Sequence, residues 1–314
     1  MKTISSKPIN HTITSAYELF KTECRIRNLA SATIEHYNYC VLRFSKYIEC
    51  DTTPISSVNS ETIRGFIQHM ANAGLKPSSI NINLTGVRAF LYWAMEQGFV
   101  AEFKIRHIKA DETEQPVYTE EDLLKLTEKP KTDKFDVVRN WCIVCFAIAT
   151  GVRVRTLCSI NIEDILLDEE AVMIRQQKNR KIKKLPLSSG MVKILKNYIW
   201  TYLADEAGDF PLFPSSRATR MRATTMQSAI HRYNNSRGVE ITAMHGFRRA
   251  YAKMYIKNGG RIEMLKELMC HSSIKQTEKY YDLYTDDLRQ GYEELNPLQQ
   301  LVGKTSRTIK TRNK

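Results

Sequence analysis

Four short patterns in the second half of the chain carry residue types that can handle a phosphate ester. Thr150-Gly151-Val152-Arg153 follows an apolar run, so a glycine turn can be followed by an arginine projecting from the start of the next helix. Lys178 lies in RQQKNRKIKKLPL, a basic turn between two short apolar stretches, where an ammonium can meet phosphate as a point charge. His245-Gly246-Phe247-Arg248 sets an imidazole and a guanidinium three residues apart, hence on one face of a helix. That pair suits an anionic oxygen, since Arg offers a fork of donors and His can accept or give a proton. His271-Ser272-Ser273-Ile274 is followed, nine residues after the histidine, by Tyr280, with Tyr281 beside it. Taken singly, each fragment has an ordinary reading as well: a surface arginine after a turn, a solvated hairpin tip, a structural histidine, aromatic packing.

The elements that must position these groups read as mostly helical. Ser15 and Glu18 fit a capping box before AYELFKTECRIRN. Ser31 is placed to cap a second helix with Ile34, Tyr37, Val41, Phe44 and Ile48 on one stripe. The spacing predicts a third helix over 60–73, before Gly74. It predicts a fourth from Ser78 or Ser79 to the residues before Gly98, with Leu84, Val87, Phe90, Leu91 and Ala94 on one face. Four helices with short connections predict a small bundle. Residues 101–118 are polar, contain a proline and read as a linker. Thr119 then caps a helix with an acidic first turn, and residues 137–149 form a strongly apolar helix. Residues 171–187 read as two short strands around the basic turn, followed by helices near 189–204, 223–235, 245–257 and 261–269. The closing GKTSRTIKTRNK has five basic residues and no acid, so it is expected to be disordered in isolation.

Composition narrows the class. The 314 residues carry 47 basic and 34 acidic side chains, a formal charge of +13, which draws a soluble chain to a polyanion. The excess is spread: residues 1–110 hold 13 basic against 8 acidic groups, and the remainder 34 against 26, so both parts are suited to the same anionic ligand. With 42% hydrophobic residues, a real core can be buried. Seven cysteines, an odd number, show no secretory framework, so reduced thiols in a cytosol are expected. Cys142 and Cys145 form a CxxC inside WCIVCFAIA, with no second pair at metal spacing, and read as core cysteines. The first residues lack a signal-like apolar segment, and no apolar run approaches the ~20 residues of a membrane span. A soluble, cytoplasmic protein without a membrane partner is expected. No phosphate-binding glycine loop or carboxylate cluster is visible, so neither cofactor nor metal is expected.

In order and spacing, the four patterns resemble the tyrosine recombinase (phage integrase) family, including its Xer-like resolvases. TGVR supplies Arg153, QQKNRKIKKLPL supplies Lys178, HGFR supplies His245 and Arg248, and LMCHSSIKQTEKYY supplies His271 and Tyr280. The match spans about residues 119–285, and the helical segment at 12–98 resembles the family's core-binding domain. The resemblance implies a mostly α fold with a small β-sheet or hairpin. An N-terminal four-helix, SAM-like core-binding bundle (1–104) would be joined by a linker (105–118) to an α+β catalytic domain (119–290), with a basic tail (291–314). It implies Tyr280 as nucleophile, Arg153 and Arg248 as the phosphate clamp, His245 and His271 as hydrogen-bonding partners of the same oxygens, and Lys178 as general acid. It also implies double-stranded DNA as partner, a homo-tetramer in the synaptic complex and a C-shaped grip on the duplex. An accessory directionality factor stays open as a further partner.

Three positions depart from the family pattern. Thr156 stands where a Glu or Asp is common, Arg249 where a His often follows the second arginine, and Cys270 where a Gly usually precedes the histidine. Three other readings remain open. One is a relaxing type IB topoisomerase with the same tyrosine chemistry. Another is a catalytically inactive site-specific DNA-binding protein on the same fold. The last, a general RNA-binding protein, accounts for the charge but not for the ordered motifs.

Overall fold

The computed structural model describes residues 11–48, 53–110, 117–175, 182–241, 243–270 and 277. The chain divides into two compact units, Met1–Glu114 and Gln115–Lys314.

The first unit is a bundle of α1 (Ile13–Ile26), α2 (Ser31–Tyr47), α3 (Ser60–Asn72) and α4 (Pro77–Glu96). The apolar stripes decide its interior. Val41 and Phe44 of α2 are buried, with Ile34, Tyr37 and Ile48 packed against them, and Leu84, Val87, Phe90, Leu91 and Ala94 of α4 are all buried. Gly74 and Gly98 follow α3 and α4 with positive φ, as the left-handed cap requires. The first cap differs from expectation. Thr12, not Ser15, caps α1, its hydroxyl accepting from the Ser15 amide at 3.2 Å. The chain enters one turn earlier because Thr12 bridges Pro54 and Ile13 is fully buried, a tertiary pull that the local pattern does not contain. Ser31 is likewise the first helical residue rather than the cap, which is Ala30. Residues 101–110 form neither helix nor strand, yet Ile105 is buried in this core and its backbone N–H and C=O both bond the Tyr92 hydroxyl.

The second unit is built around α6 (Phe135–Thr150). A helix this apolar must be largely surrounded, and α6 packs against α5 (Glu120–Thr127), α8 (Ser189–Tyr202), α9 (Ala223–Ser236) and α10 (Met244–Lys257). Cys142 and Cys145 are buried in it, and burial pushes both thiols up, that of Cys145 to about 12. Thr119 and Asp122 make the reciprocal capping box at the start of α5. Three antiparallel strands lie on the flank: β1 (Ile165–Leu166), β2 (Ala171–Ile174) and β3 (Lys183–Pro186), in that order. The two longer strands are those expected around the basic turn. β1, only two residues long, carries no alternation to detect. The short α7 (Val154–Ser159) and α11 (Ile262–Leu268) complete the unit.

Candidate functional site

Arg153 is positioned by the end of α6. Gly151 closes that helix with φ 60°, a left-handed conformation that favours glycine, and turns the chain so that Arg153 becomes the exposed residue before α7. The close approach of Tyr251 reinforces the need, since a Cβ at Gly151 would lie 2.5 Å from its ring.

Arg248 is held differently. It is 2% exposed, and its guanidinium bridges two turns: Nη1 donates to the Gly151 carbonyl at 2.6 Å and Nη2 to the Met269 carbonyl at 2.7 Å. One side chain therefore ties the turn that presents Arg153 to the turn that ends α11. Charge-assisted bonds of this kind are short and about twice as strong as neutral ones.

His245 sits in the first turn of α10, solvent-accessible, one turn before Arg248. Partial desolvation lowers its pKa from 6.5, and the cations of Arg248, Arg249 and Arg153 lower it further. The imidazole is therefore neutral at neutral pH and free to accept a proton. The same interactions place both arginines of the expected clamp in one electrostatic neighbourhood with His245. A titration of its ring signals by NMR in the DNA-free protein should give a midpoint below 6.5, and Arg249→Met should raise it. The linkage has a definite sign. The unfolded chain takes up this proton first, so stability falls as pH drops through about 6.5 and stops falling only below the folded-state midpoint. A midpoint above 6.5 would contradict this geometry.

The helix carrying these groups is registered by Tyr118. Its ring stacks on Phe247 at 4.4 Å and 4°, and its hydroxyl accepts from Asn234 Nδ2 at 2.8 Å. Gly246 permits the contact, since a Cβ there would come within 2.7 Å of the Tyr118 ring. Gly246→Ala should destabilise the protein by about 1–3 kcal/mol through overpacking, read from the urea unfolding midpoint. Beside the start of α10 a cleft of about 480 Å³ opens between Gln227, Ser228, His231, Arg232, Ala243 and Met244, with the Arg232 cation in its lining.

Of the six expected site residues, Arg153, His245 and Arg248 are described. Lys178, His271 and Tyr280, and the basic tail, lie outside the described residues. The strands on either side of Lys178 are paired, with Ile174 opposite Lys183. Among the described residues, no group of His, Cys, Asp or Glu is arranged to hold a metal ion, and no helix is long and apolar enough to cross a membrane. The supporting roles of Tyr118 and Tyr251 carry no local signal in the sequence.

The pattern for the phage integrase family matches residues 116–286, and that for the phage integrase N-terminal SAM-like domain matches residues 20–98. The chain belongs to the phage integrase family. Its relatives in this family include the tyrosine recombinase XerA of Pyrococcus furiosus, 27% identical over 91% of this chain and 96% of the relative. The tyrosine recombinase XerC of Thermodesulfovibrio yellowstonii is 25% identical over 86% and 91%. Among solved structures, the Tn1549 transposon integrase in complex with transposon right end DNA superposes with a TM-score of 0.72 at 18% identity, covering 91% of this chain and 99% of the other. A lambda integrase dimer bound to a COC′ core site gives 0.69 at 16%, covering 88% and 97%. The mostly helical fold with its small three-stranded sheet is that of the tyrosine recombinases. Within the family frame, one departure gains a physical reading. Cys270 adopts φ 52°, the left-handed region where the family's usual glycine costs nothing. Arg249 is buried and adds a cation acting on His245.

Proposed function

We propose that this protein is a site-specific DNA recombinase that cuts and rejoins DNA through a 3′-phosphotyrosine link at Tyr280, with Arg153, Lys178, His245, Arg248 and His271 as its catalytic set. The observation that carries this reading is Arg248 tied to the turn that presents Arg153, one helical turn from His245, in a chain that keeps the remaining family residues in order.

Attack on phosphorus adds charge to the non-bridging oxygens, so catalysis of such transfers is mostly positioning and electrostatics. Arg153 and Arg248 would hold those oxygens, with His271 donating a further hydrogen bond. The neutral His245 suits removal of the Tyr280 proton. The phenolate oxygen bonds to phosphorus as the bond to the 5′ oxygen breaks, and Lys178 gives that oxygen its proton. A 5′-hydroxyl of a second strand then attacks the phosphotyrosine ester, releases Tyr280 and reseals the backbone. The bond's energy is kept throughout, so the exchange needs no ATP and no metal.

The partner would be double-stranded DNA, gripped by a core-binding domain at 1–104 and a catalytic domain at 119–290. Both halves of the chain are basic, which supports this arrangement. A homo-tetramer is the working assembly in this reading, and a lambda integrase tetramer bound to a Holliday junction is among the structural neighbours. The site of action would be the nucleoid in the cytoplasm. Two assays test the reading. Nicked suicide DNA carrying the candidate site should trap the wild-type chain as a covalent adduct on a denaturing gel. A plasmid with two such sites should yield deletion or inversion products. Relaxation alone would make the protein a topoisomerase. Specific binding without any adduct would make it an inactive DNA-binding protein.

A further inference from the structure

The turn after α11 is gripped from two sides. Arg248 holds the Met269 carbonyl from one side. From the other, the Lys183 ammonium of β3 pairs with the Glu267 carboxylate at 2.5 Å and lies 3.4 Å from the Glu267 carbonyl. That carbonyl also accepts the Cys270 amide at 3.0 Å, so the lysine touches the acceptor that closes the turn. Lys183 opens β3, directly after the connection that carries Lys178, and Glu267 lies four residues before His271. The same ammonium acts, together with Arg248 and Arg153, on the Cys270 thiol, so it belongs to the cation cluster of the site. Its bond to Glu267 draws that carboxyl below its ordinary range.

Lys183 is 24% and Glu267 58% exposed at the side chain, and a pair so open to water contributes little to stability. Its effect is geometric: it joins two elements 84 residues apart in the chain, each leading into an expected site residue. We propose that Lys183 and Glu267 are a positioning pair that couples β3 to the turn after α11, so that the turn anchored by Arg248 is held in the geometry that cleavage needs. This rests on the recombinase reading above.

The test is single-turnover cleavage of suicide DNA by the full chain, alongside DNA affinity and thermal unfolding. Since small misplacements of reacting groups are costly, Glu267→Gln and Lys183→Met should each slow cleavage by about tenfold. For Glu267→Gln, affinity should stay within about threefold and the unfolding temperature nearly unchanged, because the pair is part-exposed. Lys183→Arg, which keeps the pair, should recover most of the rate lost in Lys183→Met. The proposal is overturned if Glu267→Gln cleaves at the wild-type rate, if its rate falls only in step with affinity or folded fraction, or if Lys183→Arg is as slow as Lys183→Met. Absence of any wild-type adduct on bound DNA would overturn the recombinase reading as well. A wild-type adduct with an unimpaired Glu267→Gln would overturn the pairing alone.

Discussion

Tyr280→Phe should abolish the covalent protein–DNA adduct while leaving affinity for the DNA site within about threefold of wild type. The asymmetry follows from what the substitution removes. Phenylalanine keeps the aromatic ring but has no oxygen to bond to phosphorus. Phosphate binding falls to groups that remain, above all the forked guanidinium groups of Arg153 and Arg248. The neighbouring Tyr281→Phe should trap an adduct as the wild type does. The two variants run beside wild type on one denaturing gel decide the matter. An adduct lost only in Tyr281→Phe would move the nucleophile by one residue and keep the reaction. An adduct surviving in both would remove the phosphotyrosine chemistry from this pair.

Arg248→Lys should lower the cleavage rate by about 10³-fold, the scale of losing a preorganised donor to the transition-state charge. It should also destabilise the fold by about 1–3 kcal/mol, the cost of leaving one buried acceptor unpaired. Both effects have the same structural source. The guanidinium reaches the Gly151 carbonyl with one nitrogen and the Met269 carbonyl with another, and these belong to turns 97 and 21 residues away from it. An ammonium is a point with no fork, so it can serve one carbonyl in this geometry but not both. The turn presenting Arg153 and the turn ending α11 would then lose their common anchor. Single-turnover cleavage under conditions where the protein is folded measures the first loss, and urea unfolding measures the second. A variant with wild-type stability would contradict the anchoring role. One with wild-type cleavage would contradict the catalytic role proposed for Arg248.

Much of this protein is legible in the sequence, because many of its features are local. The stripe Ile34–Tyr37–Val41–Phe44 needs only the 3.6-residue period to declare a helix and its inward face, and the same holds for Leu84 to Ala94. The Thr119–Asp122 cap joins residues three apart, and the hairpin strands around Lys178 are bounded by their own apolar runs. Even the convergence of His245 and Arg248 is a matter of one helical turn. Other features were decided only by tertiary structure. Thr12 displaced Ser15 as the first cap because Ile13 and Pro54 drew the chain inward. Tyr118, read as the end of a linker, is a buried platform for Phe247. Arg248 spends two of its donors on backbone carbonyls, and Lys183 reaches Glu267 across 84 residues. The physical reason is common to all four. Residue spacing specifies which way a side chain points from its own helix or strand, but not which atoms of another element fold into its reach.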